Sequence, residues 1–102
     1  MIRKEIQKQD WQGRLQSFTS GNRGRSSEII TRQGKLIQEK TFQSVDFDPE
    51  GDGNTLIISL AGFGHQIENP EEIFVEELDN GEVSSLEIVD QNGDSSFLSF
   101  QP

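Results

Sequence analysis

The sequence has no cysteine. Disulfides, thiol chemistry and thiolate-built zinc sites are therefore excluded. No apolar run approaches the ~18 residues that a membrane span needs, and the opening MIRKEIQK has no stretch resembling a signal peptide. These absences predict a cytoplasmic protein with no membrane partner. The sequence has one histidine and, from residue 41 onward, no lysine or arginine. No P-loop, GxGxxG, HExxH or GxSxG pattern occurs. No catalytic residue, cofactor-binding residue or metal ligand is assigned, no cofactor is expected, and the chain reads as a non-enzyme.

What is present is a separation of charge. Before residue 41 there are nine bases and four acids, and after residue 40 there are fourteen acids and no base. The halves carry +5 and −14, which gives the net −9. One reading is that the basic third folds across an acidic sheet, drawn by long-range attraction. The other is that the acidic part meets a basic partner, or the basic part an acidic one. Direct binding of nucleic acid is disfavoured, because an acidic sheet repels phosphates. At 102 residues with 30% hydrophobic content, a single domain with a modest core is expected over 1–102. Dimerisation would add buried area, so a homodimer is compatible with the composition.

The clearest structural signal lies in residues 65–100, read as a β-meander. Asn80-Gly81 and Asn92-Gly93 are turn signals, since both residue types tolerate positive φ. A two-residue type I′ turn at Asn80-Gly81 pairs Val75 with Leu86 and Ile73 with Ile88. At the second turn, a three-residue loop over 91–93 with Gly93 in the left-handed region opposes Leu86 to Leu98 and adds Phe100 to the same face. The predicted core face is Ile73, Val75, Leu86, Ile88, Leu98 and Phe100. The other face, with Phe74, Glu76, Leu78, Glu87 and Val89, is mixed.

Upstream, residues 1–7 read as an extended arm. Trp11, Leu15 and Phe18 recur at helical spacing and predict a helix over 8–20, with Asp10 near its start. A helix this short is marginal alone and must dock on the sheet, with Trp11 in the core. Arg23 and Arg25 fall in a solvated loop. First strands are expected across 27–61: two joined near Gly34-Lys35, then 55–61 with Leu56, Ile58 and Leu60 inward. Gly62-Phe63-Gly64 breaks the pattern, and Pro70 marks a strand start or a kink.

Three candidate sites are weighed against plainer readings. Asp46, Asp48, Glu50, Asp52 and Asn54 are spaced like a calcium loop, with Gly51 at the sixth position. Ile57, however, stands where the bidentate glutamate belongs, so an acidic turn is the plainer reading. His65 has the chemistry of a general base, but no nucleophile motif accompanies it, and a histidine that packs or hydrogen-bonds is the alternative. Glu71, Glu72, Glu76, Glu77, Asp79 and Glu82 fall on both strand faces, as solvated edge charges do.

The spaced pattern Trp11, Leu15, Phe18, Phe47-Asp48-Pro49, Gly64-His65-Gln66-Ile67-Glu68-Asn69-Pro70, Val75-Glu76-Glu77 and Leu86-Glu87-Ile88 resembles a family of roughly hundred-residue bacterial proteins known only as a domain of unknown function. The likeness covers nearly the whole chain. Its most specific parts are His-x-Ile-x-Asn-Pro and Val-Glu-Glu. It departs over 20–40, where the family carries a more aromatic strand. The resemblance implies a compact domain with no assigned activity, and points to His65 and Asn69 as the positions to test.

The fold class expected is α+β, with an N-terminal helix packed on a twisted antiparallel sheet of about six strands, twisted enough to curl into a small half-open barrel. The function expected is a non-catalytic protein-interaction or regulatory module whose protein partner the sequence does not name. The alternative is a small-molecule or metal-binding domain using the pocket under the helix or the acidic 46–54 loop.

Overall fold

A computed structural model describes residues 1–48 and 53–101. Its elements run β1 (Ile2–Ile6), a 3-10 turn (Lys8–Asp10), α1 (Trp11–Asn22), β2 (Ser26–Thr31), β3 (Gly34–Phe47), β4 (Thr55–Leu60), β5 (Phe63–Glu68), β6 (Pro70–Glu77), β7 (Val83–Asp90) and β8 (Ser95–Phe100). The strands hydrogen-bond in the order β1-β6-β7-β8-β2-β3-β4-β5, and every neighbouring pair is antiparallel. The fold is α+β, as expected, but among the described residues the sheet has eight strands rather than about six.

Two segments account for the difference. The N-terminal arm is a strand, with Ile6 opposite Ile73 and Ile2 opposite Glu77. It buries only Ile6, so no hydrophobic alternation announced it. At the Gly62-Phe63-Gly64 break the chain makes a tight turn at Ala61-Gly62 and enters β5 at Phe63, and Ile67 sits opposite Leu56. The meander therefore begins at Pro70 rather than at residue 65. β3 also changes partner along its length: residues up to Thr41 pair with β2, across a register shift at the left-handed Glu39 (φ 56°), and Phe42–Phe47 pair with β4. Its first arm pairs with β2 and its second with β4, so it acts almost as two strands.

That change of partner divides the sheet into two layers. One holds β1-β6-β7-β8-β2 with the first arm of β3. The other holds the second arm of β3, β4, β5 and α1. The sheet does not close into a barrel: β1 and β5 stand at opposite ends of the strand order. The predicted core face is buried throughout, as are Leu56, Ile58 and Leu60. Between the layers, Phe18 brings its ring to 5.8 Å from both Phe42 and Phe100. Trp11 is buried, stacks on Phe47, and donates from Nε1 to the Ile6 carbonyl at 2.8 Å.

The two hairpins reach the expected registers by different means. At 91–93 the loop is as predicted: Asp90 N donates to Asp94 O and Gly93 has φ 83°. At Asn80-Gly81 the type I′ turn does not form. Gly81 is left-handed at 87° but Asn80 is not, and Leu78 N donates to Glu82 O across a three-residue loop. A register shift beside Glu77 restores Val75 opposite Leu86. The burial demand on four aliphatic side chains outweighs the turn preference, and a bulge absorbs the extra residue.

The helix also completes an edge of β3. The buried Thr19 hydroxyl donates to Val45 O at 3.3 Å and accepts from Val45 N at 3.1 Å. Next to it, Phe42 N donates to Arg25 O. Thr19→Val keeps the shape and deprives two backbone groups of their partner. It is expected to lower stability by about 1–3 kcal/mol, read as a fall in the urea midpoint at unchanged m-value.

Charge follows the topology. Among the described residues, six ion pairs join cations at Met1 N, Arg3, Lys4, Lys8, Arg25 and Arg32 to Asp79, Glu87, Glu77, Glu71, Glu82 and Asp94 respectively. Each pair ties the N-terminal third to the meander. The basic segment's strands β1 and β2 flank the acidic meander within the sheet, pairing with β6 and β8, and the segment's cations meet the meander's carboxylates from the two sides.

Candidate ligand-binding cleft

The residues singled out by the His-x-Ile-x-Asn-Pro pattern meet at one end of the sandwich. Ile67 is buried between the layers, which fixes the phase of β5 and turns the His65 side chain the same way. His65 Nε2 lies 3.1 Å from the Ser96 hydroxyl of β8, joining one layer to the other. Asn69 has φ 52°, a conformation Asn tolerates better than most residues. Its N–H donates to Asn54 O at 2.7 Å and its carbonyl accepts from Gln91 N at 3.0 Å. Pro70 then opens β6. Asn69-Pro70 is thus a built corner that joins the end of the β4–β5 hairpin to the β7–β8 turn.

Beside this corner lies an open cleft of about 560 Å³. β5 contributes His65, Gln66 and Glu68, the corner Asn69, the β2–β3 hairpin Arg32 and Leu36, and the β7–β8 turn Asp90, Asp94 and Ser96. Leu36 is a large apolar side chain left exposed. Arg32 bonds Asp94 at 2.7 Å. One Asp90 carboxylate oxygen accepts from Asn92 N and Asp94 N, which tightens the turn.

His65 and Ser96 have the residue types of a base and a nucleophile. A working pair also needs a group that orients the second ring nitrogen and a site for an oxyanion. Among the described residues His65 has no hydrogen-bonded carboxylate, and Ser96 is buried. The contact serves as a link between layers. Partial burial holds the His65 pKa below its ordinary value of 6.5 by desolvating the imidazolium. The unfolded chain therefore binds the proton more tightly than the folded one, and stability falls as pH drops through the unfolded value. Wild type is expected to lose more stability than His65→Gln between pH 7.5 and 5.5. Urea midpoints of both proteins at the two pH values check this, with the shared carboxylate contribution cancelling in the difference.

The other sequence candidates fall elsewhere. The calcium-like loop lies partly over 49–52, outside the described residues. The pocket under the helix exists as a groove of about 510 Å³ bordered by Phe18, Asn22, Arg25, Val75 and Glu82. Arg25 is not a solvated loop residue there. Its guanidinium stacks over Phe100 and bonds Asn22, the Val83 carbonyl and Glu82. The groove's polar groups are largely satisfied from within. Trp11 does not line the β5 cleft. Arg32, Leu36 and Asp94 escaped the sequence reading because they come from two turns about sixty residues apart, and no spacing rule links them.

A family model described as a family of unknown function, DUF5335, matches residues 2–102. Neither the curated proteins nor the solved structures provide a match.

Proposed function

Taking as premise that the chain belongs to the DUF5335 family of unknown function, we propose that it is a non-catalytic binding module whose ligand enters the cleft beside β5. One observation carries this reading. Residues from β5, the β2–β3 hairpin and the β7–β8 turn converge on an open, mostly polar volume of about 560 Å³, within the range of ligand-binding sites. The convergence depends on the left-handed corner at Asn69, a conformation maintained only where surrounding contacts hold it. The groove under α1 is the weaker alternative, because Arg25 already occupies its acceptors.

The test is amide chemical-shift mapping of the ¹⁵N-labelled full chain against mixtures of small molecules and short peptides. Perturbations are expected to cluster on 65–69 and 90–96. Perturbations confined to 14–25 and 75–83 would move the site to the helix groove. Across a broad screen, the absence of any clustered response would remove the binding reading.

A further inference from the structure

Building on the cleft as the binding site, we infer that its ligand is an extended, basic polypeptide segment that adds to β5 as a further strand. Among the described residues β5 has a strand neighbour on one side only, at the end of the sheet order. The bond from Asn69 N to Asn54 O sets the phase of the β4–β5 ladder. Antiparallel strands alternate residues that bond inward with residues that bond outward. His65 and Ile67 therefore turn their backbone groups to β4. Gly64, Gln66 and Glu68 present theirs along the free edge.

The cleft follows that edge. It is lined by His65 and Ile67, whose side chains point between the layers, and by Gln66 and Glu68, whose side chains are exposed on the outside. Only a volume running beside the strand touches both sets. An added strand would send alternate side chains toward Leu36 and Ser96 and the rest outward beside Gln66 and Glu68. Three carboxylates, of Glu68, Asp90 and Asp94, surround the volume against one guanidinium, of Arg32. The complementary segment therefore carries Lys or Arg.

The two sheet edges differ in a way that fits this use. β1 carries three consecutive charges, Arg3, Lys4 and Glu5, the pattern that blocks edge pairing. β5 has one, Glu68. A second copy is a poor occupant, since self-pairing brings together two chains of net charge −9 with Glu68 on the shared edge.

The experiment selects binders from a random twelve-residue peptide library against the full chain and follows the selected peptides by amide hydrogen exchange and shift mapping. Expected are peptides enriched in Lys and Arg, at least tenfold slower exchange of the Gln66 and Glu68 amides, and weaker binding in high salt. Gln66→Pro removes an outward N–H that the β4 ladder does not use, a place where an edge strand accepts proline. It should weaken binding at least tenfold while Tm stays close to wild type. N-methylation of alternate peptide residues tests the same bonds without touching the protein. Peptides that shift 65–69 and 90–96 without edge protection, and that bind Gln66→Pro unchanged, would overturn strand addition and leave the cleft reading intact. If no peptide maps to the cleft but small molecules do, strand addition also fails. A concentration-dependent dimer by light scattering, abolished by Gln66→Pro, would replace the peptide with a second copy and overturn it as well.

Discussion

Leu86→Ala is expected to destabilise the protein by about 2–5 kcal/mol. Leu86 is fully buried, with Val75 opposite on one side and Leu98 on the other. Those partners belong to strands whose backbones are fixed by their own ladders, so the site cannot collapse around the missing methyl groups. A domain of this size holds roughly 5–15 kcal/mol in total, so the loss is a large share. It should appear as a fall of the urea midpoint at unchanged m-value. Asp79→Ala is the contrast. Asp79 pairs with the N-terminus from an almost wholly exposed position, and its replacement should leave the midpoint where it was. A Leu86→Ala protein as stable as wild type would mean that β7 does not form the centre of the core.

Trp11→Ala should cost about 3–5 kcal/mol and act differently. Trp11 joins three elements: its ring packs against Phe47, its Nε1 holds the Ile6 carbonyl, and its backbone starts α1. The helix is too short to persist undocked. Loss of the ring should therefore loosen α1 and β1 together while the meander stays intact. Hydrogen exchange is expected to show lost protection at 2–22 before any at 83–100. Trp11→Phe should be milder in packing but leaves the Ile6 carbonyl without its donor, a cost of about 1–3 kcal/mol. As the chain has a single tryptophan, both variants must be followed by circular dichroism. Equal exchange in all elements of Trp11→Ala would show that helix and sheet unfold as one unit.

Much of the fold could be read from the residues because it rests on local periodicity. Trp11, Leu15 and Phe18 at helical spacing, and Leu56, Ile58 and Leu60 at strand spacing, each mark a face that water would penalise. The registers of β6–β7 and β7–β8 followed from the same demand, and at Asn80-Gly81 that demand held even though the turn took another form. β1 and β5 were not legible. β1 buries only Ile6 and is held by backbone bonds and by ion pairs from its exposed Arg3 and Lys4, neither of which leaves a hydrophobic pattern. β5 was concealed by Gly62 at its start and Gly64 within it, and its pairing with β4 places it in the sheet. The candidate cleft was half legible. His65 and Asn69 stood out by pattern, whereas Ser96, Arg32 and Leu36 became their neighbours only once β3 had passed from β2 to β4.

By itself the sequence determined which side chains must leave water, in which class of element, and that a basic third and an acidic remainder oppose each other in charge. Those outcomes depend on spacing and charge, which act along the chain. The tertiary structure alone decided where the sheet ends, and so which strand keeps an open edge and which turns border it. An edge exists only relative to the whole strand order, and no local preference in Phe63–Glu68 encodes the neighbour that it lacks.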